Sequence, residues 1–209
     1  KSDFAGTQGE RLRLMLKASE RYCGGGTLGD TWAEAVSRMF ADTVAAQAMP
    51  AGVSLVPDWF SWSSTIHFGK MVGATPDGRH AGAPVTHGAN PNPGFRRDGA
   101  VTAMATGIAK IQTGYGNACP LQLEFDPGLS VEEGGIERVE QVLKTHVEEG
   151  GTLININVLD KEKLMKAHEN PLLYPDLVVR VTGFTAYFAT LSPEFRQLVV
   201  DRFISAAEG

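Results

Sequence analysis

The chain has 209 residues, 43% of them hydrophobic and 21% charged, with a formal net charge of −5 at pH 7. That suits one globular domain with a sizeable core, or a large piece of a bigger one, and excludes a disordered chain. The negative balance offers no footprint for nucleic acid or an anionic membrane, and no apolar run nears the roughly 18 residues of a spanning helix.

In chain order, residues 9–21 set Leu12, Leu14, Met15 and Leu16 among basic residues and predict a short amphipathic helix. The residues before it lack the apolar stretch of a signal peptide, so a cytoplasmic protein is expected. A glycine-rich loop, "YCGGGTLGD", leads to a second helix. Its start is expected at the capping-box pair Thr31 and Glu34, and its core face at Trp32, Val36, Met39, Phe40 and Val44, with Pro50 and Gly52 as stops. The β-branched and aromatic stretch "VSLVPDWFSWSSTIHFG" predicts extended structure broken by Pro57. From Gly73 to Gly99 the chain is dense in glycine and proline, and a loop of that length is usually functional or docked on another surface. His67, His80 and His87, in or near it, are expected at the surface with no assigned role.

Residues 131–149 predict a helix with Ile136, Val139, Val142, Leu143 and Val147 on its core side and Gly150-Gly151 as its stop. The strand "TLININV" follows, with Ile154, Ile156 and Val158 on one face. Asn155 and Asn157 share the other, which suits a polar interior or a partner. Asp160 is expected to cap a helix, "DLVVRV" to form a strand, and Ser192-Pro193-Glu194 to start the last helix. Strands alternate with helices, so the class is α/β, in a single domain without repeats or linkers. Cys23 and Cys119 lie far apart without CxxC or histidine spacing, so neither a disulfide framework nor a bound metal is expected.

Two short segments stand out. "TPDGR", Thr75–Arg79, describes a tight turn. "VVRVTGFTAYF", Val178–Phe188, gives up a side chain at Gly183 between β-branched and aromatic residues, which in a strand usually marks a bulge or a close backbone contact.

Together with their surroundings these segments resemble glycyl radical enzymes, the family of pyruvate formate-lyase and of the glycerol, choline and hydroxyproline lyases. The family's radical segment, Arg-Val-x-Gly-Tyr/Phe followed by aromatics, is matched by Arg180, Val181, Thr182, Gly183 and Phe184, with Tyr187 and Phe188 after them. "ATPDGR" at Ala74–Arg79, "HGANPNPG", "ININVLDKEKLMKAHENP" and "YPDLVVRV" match further motifs in the family's order, from about Phe4 onward. The resemblance implies the C-terminal portion of a ten-stranded α/β barrel. Residues 1–72 would supply barrel helices and a strand, 73–128 the ATPDGR turn and the Gly/Pro-rich loop region, and 129–209 a helix–strand portion and the radical segment.

It also explains the missing side chain. The α-hydrogen of a glycine can be reached and removed, and the resulting radical can flatten and spread over both flanking amides, which a Cβ would hinder. The hydrophobic flanks suggest a buried, dry site. In the family, the glycine loses its hydrogen to an activating enzyme that uses S-adenosylmethionine and an iron–sulfur cluster.

The family's second essential residue, a cysteine in a Gly-Cys-x-Glu loop, is missing. Neither Cys23 nor Cys119 has a glutamate at that offset, and both are expected to be packed cysteines. The resemblance therefore implies a radical-storing subunit of a lyase, with Gly183 catalytic and Arg180, Val181, Thr182 and Phe184 shaping its loop. The "TPDGR" turn is expected to be structural support. Trp62 and Ser64, on the expected strand, are candidates for the side facing a small-molecule substrate. A larger partner subunit would bring the catalytic cysteine and cover the open inner face of the part-barrel. The alternatives are an autonomous cofactor that repairs an oxygen-cleaved enzyme, or a non-catalytic binding module that keeps the fold.

Overall fold

The computed structural model describes residues 3–59, 62–92, 101–112, 119–181 and 183–207, apart from the side chains of Trp62 and of residues 204–207. Helix α1 (Gly6–Lys17) begins and ends earlier than the leucine spacing predicts, because Ala18 N–H returns to the Leu14 carbonyl at 3.0 Å and Ser19 Oγ to that of Leu16 at 2.6 Å. Those bonds satisfy the last carbonyls and end the helix.

Helix α2 (Leu28–Ala45) has its capping box one turn before the expected pair, at Thr27 and Asp30. The Asp30 carboxylate explains the choice: it accepts the N–H groups of Cys23 at 2.6 Å, Gly26 at 2.8 Å and Thr27 at 3.0 Å. It gathers the glycine-rich loop as well as the helix start, which Glu34, paired instead with Arg38, does not. The expected core face of α2 is a correction too. Trp32, Val36, Met39 and Phe40 are exposed, and Ser37 is the buried residue of the helix, with Ala33 packed against the core.

The aromatic stretch that follows is not a strand over its later part. A single 3-10 turn, Trp62–Ser64, runs into helix α3 (Thr65–Met71). Helix α4 (Val101–Gln112), to which the sequence reading assigns no element, is deeply buried, with Ala105, Gly107, Ile108, Ala109, Ile111 and Gln112 all inside.

Strand β1 (Leu121–Phe125), helix α5 (Gly135–Glu148) and strand β2 (Ile154–Val158) form a β–α–β unit, with the strands parallel and Leu123 opposite Ile156, Glu124 opposite Asn157. The pleat divides this sheet into two faces. Leu121 and Leu123 join Cys23, Ile108, Ile111, Cys119 and Val142 in one core cluster. Gln122 and Glu124, equally buried, share the other face with Asn157. On β2, Ile156 and Val158 are exposed while Ile154 packs against the first cluster, and on the amide face Asn157 is buried and Asn155 half-buried. On α5, Val142 is buried as expected, Ile136 and Val147 are exposed, and His146 takes the inner position, its Nδ1 2.8 Å from the Ala105 carbonyl.

Helix α6 (Lys161–Glu169) starts at Asp160, whose carboxylate accepts Lys163 N–H at 2.9 Å. Strands β3 (Val178–Arg180) and β4 (Thr185–Tyr187) form an antiparallel hairpin, and helix α7 (Pro193–Ala207) starts after Ser192 as the sequence indicates. Leu159, Leu164, Val179, Val181, Phe188, Val199 and Phe203 belong to a second core cluster. Among the described residues no helix is long and apolar enough to cross a membrane.

The displaced cap gives the first test. Asp30→Ala should cost about 1–3 kcal/mol of stability in urea denaturation, while Glu34→Ala should stay within about 0.5 kcal/mol. Equal losses would restore the cap to the Thr31–Glu34 pair.

Candidate functional site

In "VVRVTGFTAYF" the strand alternation is sharp: Val179 and Val181 are 1% and 0% exposed, while Val178 and Tyr187 face outward. Val178 stands opposite Tyr187, Val179 opposite Ala186 and Arg180 opposite Thr185. The hairpin closes where Val181 N–H donates to the Phe184 carbonyl at 2.8 Å, and Thr182, between Val181 and Gly183, lies outside the described residues.

Gly183 is exposed, at φ +85°, and apart from its own chain neighbours no described residue comes within 4 Å of where its Cβ would stand. Among the described residues, the close-contact reading of this glycine therefore fails, and so does a buried site. What requires glycine is the left-handed backbone, unfavourable for any L side chain. Phe188 packs into the core, whereas Phe184 only rests edge-on against Phe195 at 6.3 Å, so the apolar flanks enclose one side of the hairpin and leave the tip open.

The base of the hairpin is held by polar side chains. Asn157 accepts Arg180 N–H on Oδ1 at 3.1 Å and donates from Nδ2 to the Arg180 carbonyl at 3.2 Å. Arg202, on α7, donates to the same carbonyl at 2.7 Å through Nη2 and to the Val181 carbonyl through Nη1. Glu124 stands 3.5 Å from Arg202 Nε, with side chains only 7% (Arg202) and 4% (Glu124) exposed. Of these three, sequence reasoning marks Asn157 alone, as an inward amide. Arg202 and Glu124 look like ordinary helix and strand charges, and nothing local announces them. The Arg180 side chain reaches Thr185 Oγ1 at 3.2 Å, within the hairpin.

His87 corrects the expectation of a surface histidine: it is buried, while His67 and His80 are exposed. Burial, and then the charges of Arg202 and Arg180, push its pKa down to about 4, so it is neutral at pH 7. Three residues on, Asn90 clasps the β1 backbone as Asn157 clasps β3, donating to the Gln122 carbonyl and accepting Gln122 N–H, both at 2.9 Å.

The "TPDGR" turn is a junction. Thr75 N–H donates to the Arg79 carbonyl and Gly78 N–H to that of Thr75, both at 3.0 Å. Arg79 donates to the carbonyls of Gly73 and Ala83, each at 2.5 Å, and Arg21 to that of Asp77 at 2.9 Å. Gly78, at φ +89°, leaves room for Lys17. These contacts tie the loop to α1 and the segment after it.

Cys23 and Cys119 are 0% and 1% exposed and lie in the β1–α4 cluster, whereas Val181 and Phe188 belong to the other. Burial pushes the Cys119 thiol up to about 12. Ser64 is half-buried and, like Trp62, sits in the turn before α3, so the strand that suggested a substrate-facing side is absent there. Phe60, Ser61 and the end of the "HGANPNPG" motif lie outside the described residues. Among the described residues no group of three or more His, Cys, Asp or Glu side chains could hold a metal ion.

A family model described as "Glycine radical" matches residues 85–189, a span that contains the hairpin and Gly183. Formate acetyltransferase 1 of Escherichia coli K12 is 35% identical over 153 residues, which is 67% of this chain and 19% of that protein. Trans-4-hydroxy-L-proline dehydratase of Clostridioides difficile is 27% identical over 191 residues, 91% of this chain and 24% of the other. Among solved structures, the glycerol-bound B12-independent glycerol dehydratase of Clostridium butyricum matches with a TM-score of 0.82 and 27% identity, over 93% of this chain and 25% of that one. The chain thus spans about a fifth to a quarter of the length of these curated relatives, and its fold is the C-terminal portion of their α/β barrel.

The buried His87 predicts a pH effect. Its folded pKa lies below the 6.5 ordinary for histidine, so between pH 6.5 and about 4 the unfolded chain binds more protons and stability falls as pH falls. His87→Gln should flatten the stability–pH curve in that window by at most about 3 kcal/mol, read by urea denaturation at several pH values. A curve of unchanged slope would mean that His87 titrates normally.

Proposed function

This chain belongs to the glycine radical family, and from that premise we propose that Gly183 is the radical-storing residue of an anaerobic glycyl radical lyase or dehydratase. The observation that carries the reading is the setting of Gly183, an exposed α-carbon whose L side-chain position meets no described residue but its own chain neighbours, at the tip of a hairpin whose base is fixed.

Loss of one hydrogen atom from the Gly183 α-carbon leaves a carbon radical, and the abstracting radical gains a C–H bond. We assign that abstraction to a separate activating enzyme using S-adenosylmethionine and an iron–sulfur cluster. In turnover the Gly183 radical takes a hydrogen atom from a cysteine thiol, restoring the glycine and leaving a thiyl radical to attack a small-molecule substrate. To Arg180, Val181, Thr182 and Phe184 we assign the shaping of the loop that presents Gly183, with Arg180 ending β3 and Val181 N–H bonded to the Phe184 carbonyl.

The thiol is supplied from outside the described residues, because Cys23 and Cys119 are sealed in the core cluster opposite the hairpin. A larger subunit bearing that cysteine also fits the apolar residues left exposed on α2, Trp32, Met39 and Phe40 among them. An exposed radical would meet water and oxygen, so such a partner would close over the hairpin tip.

The test is anaerobic electron paramagnetic resonance on the chain with an activating enzyme and S-adenosylmethionine, with and without the candidate large subunit. A doublet that vanishes in Gly183→Ala and persists in Cys23→Ala and Cys119→Ala is expected, together with cleavage of the chain at Gly183 on exposure to air. Gly183→Ala should keep the fold and cost only about 1–2 kcal/mol, the penalty of a left-handed L-residue. A doublet and enzyme rescue without any large subunit would make this an autonomous repair cofactor. No doublet under any pairing would overturn radical storage in favour of a binding module.

A further inference from the structure

We propose that Arg202 is a positioning residue for the radical hairpin, with Glu124 orienting it, a proposal that rests on Gly183 as the radical-storing residue. In an antiparallel pair, residues alternate between exchanging hydrogen bonds with the facing strand and pointing those groups away from it. Val181 bonds across to Phe184 and Phe188 N–H to the Leu177 carbonyl at 2.7 Å, so Arg180, at a position between, turns its N–H and carbonyl away from β4. Buried backbone groups of that kind need partners. Asn157 takes both, and Arg202 adds a second donor to the carbonyl.

Arg202 does what Asn157 cannot. Its two terminal nitrogens donate to consecutive carbonyls, those of Arg180 and Val181, and so fix the orientation of the peptide units where the chain leaves the strand. Thr182 alone separates Val181 from Gly183, so the direction of the Val181 carbonyl sets the direction from which the tip starts. Only a planar guanidinium spans two such acceptors in fixed geometry, and a lysine ammonium does not.

The guanidinium is itself held. Glu124 faces Arg202 Nε at 3.5 Å and lies opposite Asn157 in the sheet register, 3.5 Å from Asn157 Nδ2, with Gln122 Nε2 3.3 Å from the same carboxylate oxygen. One buried carboxylate thereby orients the two side chains that grip the hairpin. With only three residues in each strand, the hairpin has little pairing of its own to hold its attitude.

The test uses the full chain and two readouts, amide hydrogen exchange and the anaerobic doublet, on wild type, Arg202→Gln, Arg202→Lys and Glu124→Gln. Arg202→Gln should lose roughly tenfold or more of the exchange protection at the Arg180 and Val181 amides, while the β1–β2 amides keep theirs. Its doublet should change in splitting and fall in yield. Glu124→Gln should lose less at the same amides, and it keeps the test open if Arg202→Gln does not fold. Arg202→Lys should restore bulk stability without restoring the doublet. Unchanged hairpin protection and an unchanged doublet in Arg202→Gln and Glu124→Gln would overturn the proposal, as would a loss spread evenly over both sheets. If the wild type yields no doublet, the radical reading fails on its own, and exchange alone decides whether Arg202 holds the hairpin.

Discussion

The fold around the hairpin depends on one requirement: Arg180 sits in a strand with its N–H and carbonyl turned away from β4, the strand that pairs with it. Those groups are satisfied by the polar face of a different sheet and by a helix that follows the hairpin in the chain. Asn157 belongs to β2 and Arg202 to α7, so the backbone of one short strand is the meeting point of both. Sequence segments far apart are thereby committed to one geometry, which no pairing of β3 with β4 could impose by itself.

This explains why a parallel sheet here buries glutamine, glutamate and asparagine. A strand pair packed between two cores would ordinarily be apolar on both faces. Leu121 and Leu123 obey that rule on one face, whereas Gln122, Glu124 and Asn157 face the hairpin. Desolvating the Glu124–Arg202 pair costs much of what their attraction returns, so the pair is a poor source of stability and a good source of orientation. The same device recurs at the edge of β1, where Asn90 clasps Gln122 and anchors the loop bearing His87.

Much of this was legible in the sequence, and the failures have physical causes. The family resemblance around Arg180–Phe184, the Asp160 cap and the Ser192 helix start are local, and each is carried by residues within a few positions. Helix α4 was not legible because it is buried on nearly every side by Ala105, Gly107 and Ala109 as much as by Ile108 and Ile111, which erases the polar stripe that periodicity needs. The apolar stripe on α2 is real, but amphipathicity cannot say whether the surface it wants belongs to the same chain. Arg202 was invisible for a further reason. Its partners are main-chain carbonyls 21 and 22 positions away, and main-chain groups carry no letter in a sequence.

The left-handed backbone at Gly183 has a stereochemical consequence. A planar α-carbon has two faces, and a hydrogen returned to either one restores the same glycine, because glycine is achiral. Any chiral residue would emerge as a mixture of epimers after a few cycles of loss and return. At φ +85° the bias would run toward the D form, the one whose side chain that backbone favours. Glycine is thus the one residue that can be dismantled and rebuilt at this tip indefinitely without changing the hand of the chain.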